Sequence, residues 1–316
     1  MASDSLGGVT REELLSALAG LRRAQVRGRR APHKPLLVLW LLGRFAAHGS
    51  SAVGYAEAEE PVSRLINDFG PQVRGAAAAR QRAAMPFVHL ERALWDVRDA
   101  AGEPIGTDAA ESGPKLRERG AHGRLRPEVE RLLADPGTLA AAARVLLDEH
   151  FTPTLEAPIC EAAGLDLTAV EASAFLLIED RRVARRRSAA FAEAVLIAYA
   201  YACAMCGFDG RLGRTPVGIE AAHIRWHSQD GPDEVRNGLA LCALHHRLFD
   251  LGVLGLTGDG AIRVSGLYVA GGPAARQVAD LEGRELAVPG RGRPRPAGEF
   301  VAWHGAQVFK DGAVAA

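Results

Sequence analysis

Apolar residues recur at helical spacing near the start of the chain. Leu14, Leu15, Leu18 and Leu21 share one side of a helix expected over residues 9–24, and Thr10 followed by Glu13 supplies a capping-box start. Pro35 opens an apolar stretch through Phe45 that reads as a buried helix ended near Gly49. Residues 61–69 read as a further short helix, 75–82 as a loop or frayed helix, and 87–97, with its aromatics, as paired strands. Glycine, proline and charge dominate 102–126, after which 127–133 and 139–147 return to helical periodicity. The pattern weakens between 151 and 176. Residues 188–202 then predict a strong amphipathic helix running straight into Cys203, followed by short strands, turns and one helix. The expected fold class is α+β. A mostly helical amino-terminal domain with a few strands occupies 1–150, a helical linker 151–187, and a second domain 188–316.

Composition supports two folded units. The chain has 316 residues, 48% apolar and 24% charged, in the range of soluble globular proteins. The formal net charge is zero, so no global attraction to nucleic acid follows from the total. Its distribution is uneven. Seven basic residues (Arg11, Arg22, Arg23, Arg27, Arg29, Arg30, Lys34) stand between Thr10 and Lys34 against Glu12 and Glu13. Arg181, Arg182, Arg185, Arg186 and Arg187 form a second cluster, and Arg291, Arg293 and Arg295 a third. Each can neutralise phosphates or simply form a solvated face. The longest apolar run, Leu36 to Leu42, is far short of the roughly 20 residues that cross a bilayer, so no membrane partner is expected. The start, Met1-Ala2-Ser3-Asp4, lacks the basic and apolar regions of a secretory signal, and a cytoplasmic location is expected. In a reducing compartment the four cysteines are candidates for metal ligation or burial rather than disulfides.

Three of them fall into a metal-ligand pattern. Cys203-Ala-Met-Cys206 and, after 35 intervening residues, Cys242-Ala-Leu-His245 each leave the two-residue gap that lets both side chains face one ion. Three thiolates and an imidazole match structural Zn²⁺, which would clamp a small region with little core of its own. Cys160 has no such partner and reads as a packed apolar residue.

Inside the loop so closed lie Gly218-Ile-Glu-Ala-Ala-His223-Ile224, Asn237-Gly-Leu-Ala-Leu-Cys242 and His245-His246-Arg-Leu-Phe-Asp250. Over residues 200–260 this resembles the HNH (ββα-metal) endonuclease family in its McrA-like branch. The resemblance implies a metal-dependent DNA endonuclease. His223 is suited by its ordinary pKa of ~6.5 to take a proton from water near neutral pH. His246 is implied as a ligand of a catalytic Mg²⁺ or Mn²⁺, and Asn237 as the residue that holds the loop bearing His223. One departure matters. The aspartate that many of these enzymes place before the base is Ala222 here, so a metal ligand must come from elsewhere; Asp209 is the candidate, with Glu220 behind it. Asp250 is expected to cap or pair.

A second resemblance covers the amino-terminal domain. Arg30-Ala-Pro-His33-Lys34-Pro35-Leu-Leu, Met85-Pro86-Phe87 and Leu94-Trp95 look like the sulfur-binding domain of restriction enzymes that attack phosphorothioate-modified DNA. Sulfur in place of a non-bridging oxygen is larger, more polarisable and a weaker hydrogen-bond acceptor, so an apolar cup prefers it. Met85, Pro86 and Phe87 are the expected cup, with Met85 standing where the family carries tyrosine. Arg30, His33 and Lys34 are expected on neighbouring phosphates and base edges. Together the two resemblances imply a type IV-like restriction endonuclease acting on double-stranded, phosphorothioate-modified DNA. One such site cuts one strand, which asks for a homodimer. Two other readings stay open from sequence: an HNH endonuclease for methylated or unmodified DNA, and a non-cleaving zinc-stabilised DNA-binding module.

Overall fold

The computed structural model describes residues 9–21, 24–26, 29–73, 75–173 and 189–312, with the side chains of 24–26, 29–31 and 173 excepted. The arginines at 181–187, the end of the expected linker, and the side chain of Arg30 therefore lie outside the described residues. The chain divides into two compact units, one of residues 1–150 with 156–176, the other of 151–155 with 177–316.

The first unit is built around the helix His33–His48. Leu36, Leu37, Leu39 and Leu41 are fully buried in it, and a left-handed Gly49 ends it. Around it pack the helices Arg11–Ala19, Tyr55–Phe69, Ala84–His89, Pro136–His150 and Glu156–Ala163. The capping box at Thr10 and Glu13 forms with both of its hydrogen bonds. A three-stranded antiparallel sheet places His122–Leu125 between Val53–Gly54 and Trp95–Arg98. Its edge is fixed by a buried polar group: Glu130 accepts from Ser51 and Arg124, while Ser51 Oγ accepts from the Leu125 N–H.

Three expectations fail here for local reasons. Residues 87–97 are not paired strands: 84–89 is helical and only Trp95–Arg98 is extended. Pro86 sits in the helix's first turn, where its missing N–H costs nothing, and the aromatics that suggested strands are core residues. Phe87 packs edge-on against Tyr55 and Trp95, at ring distances of 5.2 and 5.3 Å, and the Trp95 indole donates to the Phe87 carbonyl. Within 102–126, a short helix Gly113–Glu118 and the central strand escape notice because Gly123 supplies one of only two buried positions in the strand. Part of the expected linker is not a linker. Glu156–Ala163 and Leu167–Ser173 are helices whose Ile159, Cys160, Ala163 and Val170 are buried in the first unit. Their helices are one or two turns long, too short for a periodicity to stand out.

The second unit opens with a helix at 189–198, a reversal in which Ala200 and Tyr201 adopt positive φ, and the Cys203–Cys206 turn. Ile219–His223 and Gly238–Cys242 form an antiparallel pair with His223 opposite Gly238, and the helix Ala243–Asp250 follows at once. This is the ββα unit. Strands Leu254–Leu256 and Ile262–Val264 and the helices Pro273–Ala279 and Gly298–Gln307 complete a core around Phe191, Val195, Leu239, Leu241 and Phe249. Among the described residues no helix is long and apolar enough to cross a membrane.

Candidate functional site

The cysteine pairs converge as their spacing predicts. One ligand atom each from Cys203, Cys206, Cys242 and His245 lies within 4.8 Å of all the others. His245 Nδ1 is 3.4 Å from both Cys203 Sγ and Cys242 Sγ. Sulfurs about 2.3 Å from a tetrahedral ion are separated by distances of this order, so the donor set fits a metal. The Cys242 thiol's hydrogen bond helps hold Cys203 down to about 3, and the same contact pushes Cys242 far up.

Asn237 is fully buried and ties a loop shut. Its Oδ1 accepts from the Arg225 N–H at 2.9 Å, and its Nδ2 donates to the carbonyls of Arg225 and Pro232 at 3.0 Å each. Asp233 follows Pro232 in the same loop. That carboxylate receives His223 Nε2 at 2.8 Å, so Nε2 carries the hydrogen and Nδ1 keeps its lone pair. The His223 ring stacks on Phe191, centroids 3.9 Å apart and planes 15° off parallel. Gly238 makes that possible: a Cβ there would lie 2.3 Å from Val195 and 3.1 Å from the Phe191 ring. Burial lowers the pKa of His223 against the pull of Asp233, which leaves the ring neutral and basic near pH 7. Neither Asp233 nor Phe191 was picked out from sequence. The Gly231-Pro-Asp233 turn just before Asn237 was the available signal.

His246 is flanked on both ring nitrogens. Glu220 Oε2 meets Nδ1 at 2.7 Å, and Asp250 Oδ2 meets Nε2 at 3.2 Å. Burial opposes charging the ring, but its bonds to Asp250 and Glu220 prevail and push it up to about 9. Asp250 does more than cap a helix. It is 2% exposed, accepts from Trp226 Nε1 at 3.1 Å and from the Thr154 hydroxyl, and its charge acts on the rings of both His223 and His246. Asp209 stands exposed after the Cys206 turn and joins no group of three or more ligands among the described residues. The carboxylates that meet His246 are Glu220 and Asp250. An imidazole and a carboxylate side by side, next to a neutral histidine, form a donor set for a hard divalent cation.

The first unit brings together two sequence-predicted patches through a residue not anticipated. Arg82, only 7% exposed, donates through NH1 to the Ile66 carbonyl and Asn67 Oδ1, and its NH2 meets His33 Nε2 at 2.9 Å. This joins the turn before Met85 to the first turn of the helix His33–His48. Burial and then Arg82 lower His33 to about 3, so its ring is neutral with the hydrogen on Nδ1. The other expected contacts change character. Lys34 is buried in an ion pair with Glu91 at 2.7 Å. Pro86 and Phe87 are interior, so Phe87 lines no surface cup and of the three cup residues only Met85 is partly exposed.

Residues 11–168, half of the chain, match the family described as ScoMcrA-like, DNA sulfur-binding domain, and residues 203–257 match the HNH endonuclease family. Among solved structures, the sulfur-binding domain of SprMcrA complexed with phosphorothioated DNA is 23% identical over 49% of this chain and 94% of that one, with a TM-score of 0.40. The sulfur-binding domain of ScoMcrA, also complexed with phosphorothioated DNA, is 25% identical over 49% and 97%, again at 0.40. The modification-dependent TagI restriction endonuclease is 24% identical over 37% and 36%, at 0.27. No curated protein matches the chain.

Proposed function

The chain belongs to the family of ScoMcrA-like DNA sulfur-binding domains and carries an HNH endonuclease domain behind that domain; from this premise we propose that it is a restriction-type, metal-dependent endonuclease that cuts phosphorothioate-modified DNA. The observation that carries the nuclease half is the pairing of a neutral His223, tied through Nε2 to Asp233, with the His246–Asp250 donor pair whose carboxylate acts on both rings.

His223 takes a proton from water at Nδ1 while Asp233 steadies the imidazolium so formed. The water oxygen bonds to phosphorus as the bond to the 3′ oxygen breaks, and the departing oxygen takes a proton from solvent, leaving a 5′ phosphate and a 3′ hydroxyl. His246 and Asp250 would hold the divalent ion, Mg²⁺ or Mn²⁺, and Glu220 fixes the ring from its other side. When bound, that ion supplies charge stabilisation to the pentacovalent phosphate and the departing oxygen. Asn237 keeps the loop, and so Asp233, against the base. The Cys203, Cys206, Cys242 and His245 cluster would hold structural Zn²⁺.

In the amino-terminal domain, the first turn of the helix His33–His48, the strands Ala24–Val26 and Arg29–Ala31, and Met85 form the reading face. Arg30 offers a cation and Met85 a polarisable surface for sulfur, while His33, with Nδ1 buried and Nε2 bonded to Arg82, fixes the face from behind. A cut through both strands uses two copies of the chain. The test is a gel shift of the full chain carrying His223→Ala on paired duplexes that differ by one sulfur. Preferential binding of the sulfur-bearing duplex is expected; equal affinity removes the phosphorothioate reading and leaves the nuclease one standing.

A further inference from the structure

The HNH match ends at residue 257, yet the last turn of the helix Ala243–Asp250 is held by a segment well beyond it. His304, in the helix Gly298–Gln307, is 1% exposed and lies flat on the Phe249 ring, centroids 3.7 Å apart and planes 9° off parallel. Its Nε2 is 3.1 Å from the Phe249 carbonyl oxygen, which can only accept, so Nε2 carries the hydrogen. Nδ1 is then a buried acceptor with no partner. A phenylalanine or leucine would fill the space without that cost, so packing alone does not explain a histidine here. What the imidazole adds is a side-chain donor on the residue next to Asp250.

The neighbouring Trp303 reaches the same carboxylate by another route. Its ring meets Trp226 edge-on at 5.7 Å and 68°, and Trp226 Nε1 donates to Asp250 Oδ1. With Oδ1 tied to the indole, Oδ2 is the oxygen that faces His246. The chain after the helix adds a third tie. Lys310 N–H donates to the Gly252 carbonyl, and Gly252, at φ +78°, lies so close to Val308 that a Cβ would come within 2.1 Å of its oxygen.

We propose that Trp303 and His304 are positioning residues of the nuclease site: from a helix outside the HNH core they hold Trp226 and Phe249, and through them the Asp250 carboxylate in register with His246. The proposal rests on the reading of His246 and Asp250 as the divalent-metal pair, and the controls separate the two. Full-length Trp303→Leu, His304→Leu, His304→Gln and His246→Ala are compared for zinc content, for Mn²⁺ affinity by electron paramagnetic resonance of the free ion, and for single-turnover cleavage.

Trp303→Leu and His304→Leu keep their zinc and their duplex affinity. They lose roughly tenfold or more in Mn²⁺ affinity, the scale for residues that orient metal ligands, and the cleavage rate falls without a change in the DNA concentration that half-saturates it. His304→Gln, which keeps a side-chain donor, recovers part of both. Wild-type Mn²⁺ affinity in zinc-loaded Trp303→Leu and His304→Leu, with His246→Ala impaired, overturns the positioning role. Unchanged affinity in His246→Ala overturns the metal reading and the proposal with it. Should His304→Leu lose zinc, Trp226→Phe decides: it keeps the ring against Trp303 and deletes only the N–H to Asp250, so wild-type Mn²⁺ affinity there refutes the route through the indole.

Discussion

Replacing Asn237 with alanine deletes three hydrogen bonds at a fully buried position and leaves the Arg225 N–H and carbonyl without their partner, while the Pro232 carbonyl keeps the Glu234 N–H. Each loss costs about 1–1.5 kcal/mol, which sums to roughly 3–4 kcal/mol if the loop does not relax. The cost falls on a loop that can open by itself, so it appears as local opening rather than loss of the whole unit. At about 1.4 kcal/mol per factor of ten, hydrogen exchange across residues 224–236 should speed up by roughly a hundredfold or more. Asp233 rides on that loop, so His223 loses its partner at Nε2 for part of the time, and a misplacement of this kind costs about 100-fold in rate. Zinc content should stay at the wild-type level. Fast exchange with full cleavage activity would show that the loop does not position the base. Unchanged exchange would refute the hydrogen-bond argument itself.

Other perturbations test other parts of the account. Stripping the Cys203–His245 cluster with a strong chelator should unfold the second unit and abolish cleavage while leaving sulfur-dependent DNA binding, measured by gel shift, intact. Glu130 is opposed by burial, but its bonds from Arg124 and Ser51 hold its pKa below the ordinary 4.5. Its stabilisation is therefore complete above that value and is lost as the pH falls through the folded-state value. Thermal melts of Glu130→Gln should lie below wild type at pH 7 and converge on it in acid. Arg82→Leu removes the bond that joins the Met85 turn to His33 and should weaken sulfur-duplex binding by about tenfold or more, with cleavage of the DNA that is bound unaffected. Equal affinity in that variant would show that the two patches hold together without it.

The nuclease site was largely legible in the sequence because its residues are close along the chain and locked by spacing. The CxxC and CxxH pairs, the strand ending at His223, and Asn237-Gly238 before the helix each have a local geometric reason that survives any tertiary context. What escaped is set by tertiary contact. Asp233 was not singled out, and Asp250, expected to cap or pair, does pair, but its partners Trp226, Thr154 and His246 are supplied only by folding. The sulfur-binding unit shows the same division. The structure brings the segments of His33-Lys34-Pro35 and Met85-Pro86-Phe87 together, but Lys34 pairs with Glu91, Phe87 lies in an aromatic core, and the link through Arg82 had no sequence signature. The helices at 156–173 fall in the expected helical linker, but, being too short to carry a period, they gave no sequence signal of their packing into the first unit.

The central claim, that one chain couples a sulfur reader to a histidine-activated nuclease, is met most directly by single-turnover cleavage. Duplexes identical but for one phosphorothioate are incubated with Mn²⁺ and either the wild-type chain or His223→Ala. The account predicts that the wild type cuts the sulfur-bearing duplex far faster than its oxygen twin, and that His223→Ala cuts neither. Wild-type cleavage by His223→Ala would contradict the account.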